Sequence, residues 1–351
     1  MAGKLRVRKL TDVVLCPASS AGHYRAGLYG ADGALEESLF YRGLGDPDAR
    51  RTARAVARAD RVSEPVLYLG VFHSVWGHCL ADHLKFLWVF LHPDEHPELK
   101  GCRCVYTVLS PQRKAPEGFF RMLEAFGLGA DRLTEVTKPT RFDVCYLPEE
   151  SFWRDWPNGV TRLFAPEYVE TLDFLVRRFD VAPTRSLPAK VYFSRTKWPC
   201  NEFGEERVEA AFRQAGYAIV HPEDLTLEET VSLLQRVESF ASGDGSCAHN
   251  SVFLRPGTEM TVVKKYPRMN EYQLAIDRAR NLRTTYVDAY RWFECLRVSK
   301  RKLADGPIFL YVSRALAERL GVRKPPFPLL SFVSFVLRGT WAKICRKLRR
   351  H

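Results

Sequence analysis

The chain has 351 residues, 46% apolar and 27% charged, and its 53 Lys plus Arg against 41 Asp plus Glu leave a net charge of +12. This is the make-up of a soluble globular protein of about two domains, and it excludes disordered and collagen-like chains. The positive surplus asks for an anionic partner: a phosphate ligand, a nucleic acid or an acidic membrane surface.

The first residues, MAGKLRVRKL, are charged but lack the apolar run and small-residue cleavage site of a secretory signal. No run of about 18 apolar residues marks a membrane-spanning helix, so a cytoplasmic location is expected. The nine cysteines are odd in number and scattered. Cys102-x-Cys104 is their closest approach, and reduced thiols are expected rather than a disulfide framework or a zinc site.

Apolar runs at 13–17 (VVLCP), 38–42 (SLFYR), 66–72 (VLYLGVF), 101–108 and 142–148 (FDVCYLP) predict strands in a mixed α/β first half. The segment 76–91 is too long for a strand, and Leu80, Leu84, Leu87, Trp88 and Phe90 recur at helical spacing. A second helix is expected over 117–127, stopped by Gly127. Residues 149–165 carry Trp and Pro and read as a linker or crossover before a helix from Pro166 to about Phe179.

In the second half, strands at 190–195, 217–222, 238–243 and 260–266 alternate with helices at 205–216, 225–237 and 248–257. Thr226 and Glu229 have the capping-box spacing. The alternation predicts βαβ units and a parallel sheet covered on both faces. From residue 325 a Pro-rich turn leads into a basic amphipathic helix with Leu337, Trp341, Ile344 and Leu348 on one face. Arg338, Lys343, Arg346, Lys347, Arg349 and Arg350 hold half of the surplus charge. A docking helix with a solvated face is the plain expectation. Because Trp and Phe accompany the charge, 325–351 is read as an anchor on an anionic membrane surface.

Three loops carry residue types with chemistry. Gly77-His78-Cys79-Leu80-Ala81-Asp82 opens the 76–91 helix after a strand. Its His78 and Asp82, four apart, share a helix face, where a carboxylate acts as base or orients an imidazole. Ser194-Arg195-Thr196-Lys197 closes a strand, and a guanidinium fork with an ammonium two residues on suits a diphosphate. Gly243-Asp244-Gly245-Ser246-Cys247-Ala248-His249-Asn250 turns tightly and brings a helix N-terminus towards a phosphate.

Taken singly, these are a solvated His/Asp pair, two surface cations and a common glycine turn. A hydrolase using Ser246 or Cys247 with His249 as base fits poorly, because residues so close at a helix start do not generally face one another. Asp46-Pro47-Asp48 spells a metal-binding Asp-x-Asp, yet it stands in a polar turn that reads as solvated.

In order and spacing the set resembles glycosyltransferase family 61, from about Gly70 to Tyr286 and most closely over 190–263. There KVYFSRTK, the Gly-Tyr-x-Ile-Val-x-Pro-Glu-Asp-Leu step, LEETVSLLQ, GDGSCAHNSVF and RPGTEMTVV follow one another. The family commonly has Gly-x-His-Gly-Ala-Gly-x-x-Asn in its glycine loop; here Asp244 stands in place of that His, a departure that looks like the bacterial branch.

The resemblance implies an α/β, GT-B-like fold of two Rossmann-like domains facing across a cleft. An acceptor-side domain would span 1–182, a nucleotide-sugar-binding domain 183–300 and a helical basic tail 301–351. It further implies inverting sugar transfer in capsular or other surface polysaccharide biosynthesis. The donor would be a nucleotide sugar and the acceptor an oligosaccharide, polysaccharide or lipid-linked glycan, with no metal or other cofactor and no nucleic acid. Asp82 would take the acceptor proton, with His78 orienting it. Ser194, Arg195, Lys197, Asp244, Gly245, Ser246, His249 and Asn250 would bind the donor. Tyr266, Asn270 and Tyr272 are cleft candidates without an assigned role. A second reading keeps the fold without catalysis and binds a phosphorylated ligand, a glycan or another polyanion.

Overall fold

The computed structural model describes residues 4–18, 26–30, 35–37, 49–109, 114–154, 162–184, 186–197, 202–291 and 308–348. The chain divides into two compact units, Met1–Arg178 and Phe179–His351. The predicted strand at 38–42 and the Asp46-Pro47-Asp48 turn lie outside the described residues.

The first unit is built on a mixed sheet. Thr140–Pro148, Val66–Phe72, Arg103–Val108 and Leu133–Glu135 lie side by side and run parallel. The long Val7–Cys16 strand pairs antiparallel with Thr140–Pro148, from Val7↔Pro148 to Leu15↔Thr140. Alternate residues such as Val13 with Leu15, and Val66 with Tyr68, enter one core with Val105 and Phe142. The helix expected at 117–127 forms over Glu117–Ala125, with Gly127 at φ +74 behind it.

Two expectations need correction in this unit. The segment after Val66–Phe72 is helical throughout, but an α-turn at Trp76–His78 gives way to a π-turn at Cys79–His83 and a 3-10 stretch at Leu84–Phe90. Its carbonyls serve other elements: Leu80 O accepts the Tyr168 hydroxyl at 3.0 Å, and Lys85 O accepts the Ser151 N–H and hydroxyl at 3.0 and 2.8 Å. Groups inserted on a helix ladder in this way disturb its regular period. Gly70, in a bulge of Val66–Phe72 at φ +91, allows the close approach of Phe86; a Cβ there would lie 2.7 Å from the ring. The second correction concerns 149–165, where Phe152–Arg154 and Arg162–Phe164 pair antiparallel instead of forming a plain crossover. The Pro166–Phe179 helix follows as expected.

The second unit contains a five-stranded, wholly parallel sheet in the order Ala218–Val220, Lys190–Phe193, Ser239–Gly243, Glu259–Lys264, Arg283–Asp288. Counted along the chain this is 2-1-3-4-5, a doubly wound arrangement whose strand order reverses between the first and third strands. The Leu227–Leu234 helix carries the predicted capping box: Thr226 Oγ1 accepts the Glu229 N–H at 3.2 Å, and Glu229 accepts the Thr226 N–H at 2.8 Å. The short helix at Ala248–Phe253 is 3-10.

Ile308–Leu310 forms a second, small sheet with Glu202–Phe203 and Tyr290–Arg291. Gly204, at φ +94, permits this pairing, since a Cβ there would stand 2.3 Å from the Leu310 carbonyl. Ile308, Leu310 and Leu316 join Tyr192, Val208 and Phe212 in the core, so 308–320 pack as part of this unit. The Leu329–Leu348 helix docks Phe332, Phe335 and Val336 in a cluster with Phe309. It leaves Leu330, Val333, Leu337, Trp341 and Ile344 exposed. Among the described residues no helix is long and apolar enough to cross a membrane.

Candidate active site

In the first unit, Val66–Phe72 delivers the chain at its carboxyl end to His73, and the helical segment beyond gathers two more imidazoles and a carboxylate. His78 Nδ1 and Asp82 Oδ2 are 2.8 Å apart. The Asp82 side chain is 5% exposed and that of His78 18%, so the imidazole is the outer member of the pair. A carboxylate accepting Nδ1–H fixes the ring's tautomer and supports a base at the other nitrogen.

His83 plays a different part. Its Nε2 accepts the His73 N–H at 2.7 Å. Burial drives its pKa from 6.5 down to about 3; Asp82 opposes this, and His78, Lys85 and His73 add to it. A neutral His83 therefore braces the loop and is no base near neutral pH. His73 Nδ1 in turn accepts the Val75 N–H at 2.9 Å, and its ring lies 4.7 Å from that of His78. Among the described residues no group of three or more His, Cys, Asp or Glu is placed to hold a metal ion.

In the second unit the candidate site is the carboxyl edge of the parallel sheet. Lys190–Phe193 and Ser239–Gly243 are neighbours at the point where the strand order reverses, so Ser194-Arg195 and Asp244-Gly245 leave the sheet side by side. Open α/β sheets take ligands at this position. Gly245 holds φ +116, and Gly245 and Ser246 are the partly exposed members of the turn.

Charged groups collect beneath that turn. Arg195 donates its N–H to Glu205 Oε1 at 3.1 Å, and its Nη1 is 3.4 Å from Glu202 Oε1. Lys265, just past the Glu259–Lys264 strand, is 5% exposed, and its Nζ is 2.6 Å from the same Glu202 oxygen. Asp244 is 1% exposed, and neither carboxylate oxygen makes a hydrogen bond of full geometry. Burial raises its pKa, while Lys265, Tyr266, the Gly245 N–H and Asn270 pull the other way. Glu205 is raised by burial too. Burial also pushes the Cys247 thiol up to about 12, which leaves no thiolate for a nucleophile.

Residues 76–261, more than half of the chain, match the family model Glycosyltransferase 61. The chain belongs to glycosyltransferase family 61. No curated protein matches it. The matched range contains both His78 and Asp82 and the Arg195 and Asp244–Asn250 loops. Membership makes the protein a glycosyltransferase, with a nucleotide-sugar donor and a glycan acceptor in general terms.

In this family 61 glycosyltransferase the donor residues expected from sequence separate by what they touch. Arg195, Asp244, Gly245 and Ser246 stand at the sheet edge. Ser194 is fully buried and donates to Glu209 at 2.5 Å, and the Asn250 amide turns onto the Cys247 carbonyl at 2.9 Å, so both brace their loops. His249 is buried with its ring 5.9 Å from that of Tyr272. Lys197 pairs with Asp224 among exposed side chains. Asn270 caps the Glu271–Ala279 helix by accepting the Tyr272 N–H at 3.0 Å.

Sequence reasoning passed over Lys265, Glu202, Glu205 and His83. Lys265 had one signal, its place in the polar end of the strand predicted over 260–266. The other three had none, because their partners come from elsewhere in the fold.

Proposed function

We propose that the chain is an inverting, metal-independent transferase of GT-B type that moves a sugar from a nucleotide-sugar donor to a growing or lipid-linked glycan of a capsular or other surface polysaccharide. In this reading the second unit holds the donor and the first supplies the acceptor's base. The observation that carries it is the meeting of Arg195 with the Asp244–Ser246 turn where the 2-1-3-4-5 sheet reverses its order.

As the bond from anomeric carbon to phosphate breaks, negative charge grows on the leaving diphosphate, and the Arg195 fork and the turn's N–H groups meet it. The acceptor hydroxyl attacks the same carbon from the opposite face and gives its proton to the His78–Asp82 pair. Because the imidazole is outermost, His78 receives that proton and Asp82 stabilises the resulting imidazolium. This exchanges the roles expected from sequence.

A thermal-shift series with UDP, GDP and CMP, followed by turnover assays on the matching nucleotide sugars, tests the reading. One nucleotide is expected to raise the Tm and its sugar conjugates to be consumed. No shift and no turnover with any of them would overturn it.

The Leu329–Leu348 helix fits an anionic membrane surface at the cytoplasmic face. Its exposed Leu330, Val333, Leu337, Trp341 and Ile344 recur every three or four residues, nearly opposite the docked Phe335. The basic residues of 338–350 suit acidic lipid. Flotation with vesicles of anionic phospholipid, but not with neutral ones, is expected, and it should vanish when 325–351 are removed.

A further inference from the structure

We propose that Lys265 is the second cation of the donor-phosphate site, and that Glu202 competes with the phosphate for Lys265 and Arg195. The inference rests on the donor reading above and deepens it. Three adjacent strands, Lys190–Phe193, Ser239–Gly243 and Glu259–Lys264, end on one edge of the sheet. The first residues beyond those ends include Arg195, Gly245 and Lys265. A Cβ on Gly245 would lie 3.5 Å from Lys265 Nζ, so the ammonium sits directly against the glycine turn.

One oxygen, Glu202 Oε1, serves two cations from two strands: Lys265 at 2.6 Å and Arg195 at 3.4 Å. That is the bridging geometry a phosphate oxygen adopts between an ammonium and a guanidinium. The Lys265 and Glu202 side chains are only 6% and 7% exposed. A cation removed from water to this degree needs an anion beside it at all times. Glu202 reaches the cluster from a different sheet, the one completed by Ile308–Leu310. It fills the need until a more highly charged phosphate takes its place. Lys197, the ammonium first matched to the diphosphate, is engaged by Asp224 at the surface.

The test uses the full chain, titrated with inorganic pyrophosphate, with whichever of UDP, GDP and CMP binds, and with the matching nucleoside. Lys265→Met should weaken nucleotide and pyrophosphate binding by about tenfold or more, the worth of one charge-assisted hydrogen bond, and should leave the nucleoside within about twofold. Glu202→Gln, which keeps shape and removes charge, should tighten both phosphate ligands several-fold. The double variant removes both buried charges together, which protects folding. It should lose the preference for nucleotide over nucleoside as Lys265→Met does.

An unchanged nucleotide-to-nucleoside ratio in the Lys265 variants overturns the proposal. So does Glu202→Gln weakening the phosphate ligands, since Glu202 would then be a positioning residue. Pyrophosphate binding that depends on Lys265, without binding of any nucleotide, would uphold this inference and remove the donor reading instead. Wild-type protein that binds neither pyrophosphate nor a nucleotide would remove both.

Discussion

In the second unit the loops that matter leave a regular parallel sheet at its reversal point, whereas in the first the His78–Asp82 pair stands on a segment that passes from α to π to 3-10 between Trp76 and Phe90. The sheet edge is set by strand pairing, and its helices need only cover it. The irregular segment is set by groups that reach it from distant parts of its unit, so its geometry depends on them one by one.

The largest expected effect probes the division of labour. Asp82→Asn should lower kcat by roughly 100- to 10,000-fold and leave nucleotide affinity unchanged. Arg195→Ala should weaken nucleotide binding about tenfold or more. If isothermal titration shows both variants losing nucleotide affinity equally, the two sites do not divide the task as proposed.

Stability against pH separates the units by sign. His83 has a depressed pKa in the fold, about 3 against 6.5, so below about pH 6.5 the unfolded chain binds the extra proton. The first unit should hold this stability above pH 6.5 and lose it progressively towards pH 3, by an amount on the order of a few kcal/mol. In the second unit Asp244 and Glu205 have raised values. The fold keeps their protons longer, and their contribution falls as pH rises from the ordinary carboxylate range through those raised values. Urea midpoints from pH 3 to 8 should show the acid loss flattened in His83→Gln; parallel curves would speak against it.

The smallest pair of effects concerns regular and irregular helices. Thr226→Ala and Tyr168→Phe should each cost about 1 kcal/mol in chemical denaturation, one by losing a cap and the other a single hydrogen bond. Turnover should fall only in Tyr168→Phe, because the Tyr168 hydroxyl donates to Leu80 O within the π-turn that carries Asp82. Equal turnover in both would mean that the π-turn stands without that contact.

The same contrast explains what could be read in the chain. Val66–Phe72, Pro166–Phe179, four strands of the second unit's parallel sheet and its capping box follow from local period and cap residues, and the structure has them at the expected places, whereas the fifth strand, Arg283–Asp288, and the small sheet were not foreseen. The spacing of Leu80, Leu84 and Leu87 is helical, but the π-turn's Leu80 carbonyl accepts the hydroxyl of Tyr168, 88 residues away, and no local pattern reports that contact. Lys265 and Glu202 are 63 residues apart, and each looks like an ordinary surface charge until the sheets bring them together. Arg195 was legible because a cation at a strand end is a local feature. Which second cation joins it is a matter of topology.

Gly204 has a bearing on how the protein can be shortened. The family match stops at residue 261, and a fragment trimmed there would keep every loop motif that marks the family. It would lose Lys265, and with it the Ile308–Leu310 strand, whose Leu310 carbonyl occupies the space beside Gly204 and against which Glu202–Phe203 is paired. On the donor reading proposed above, a portion able to hold a nucleotide would reach at least to Leu310, well past the segment by which the family is recognised.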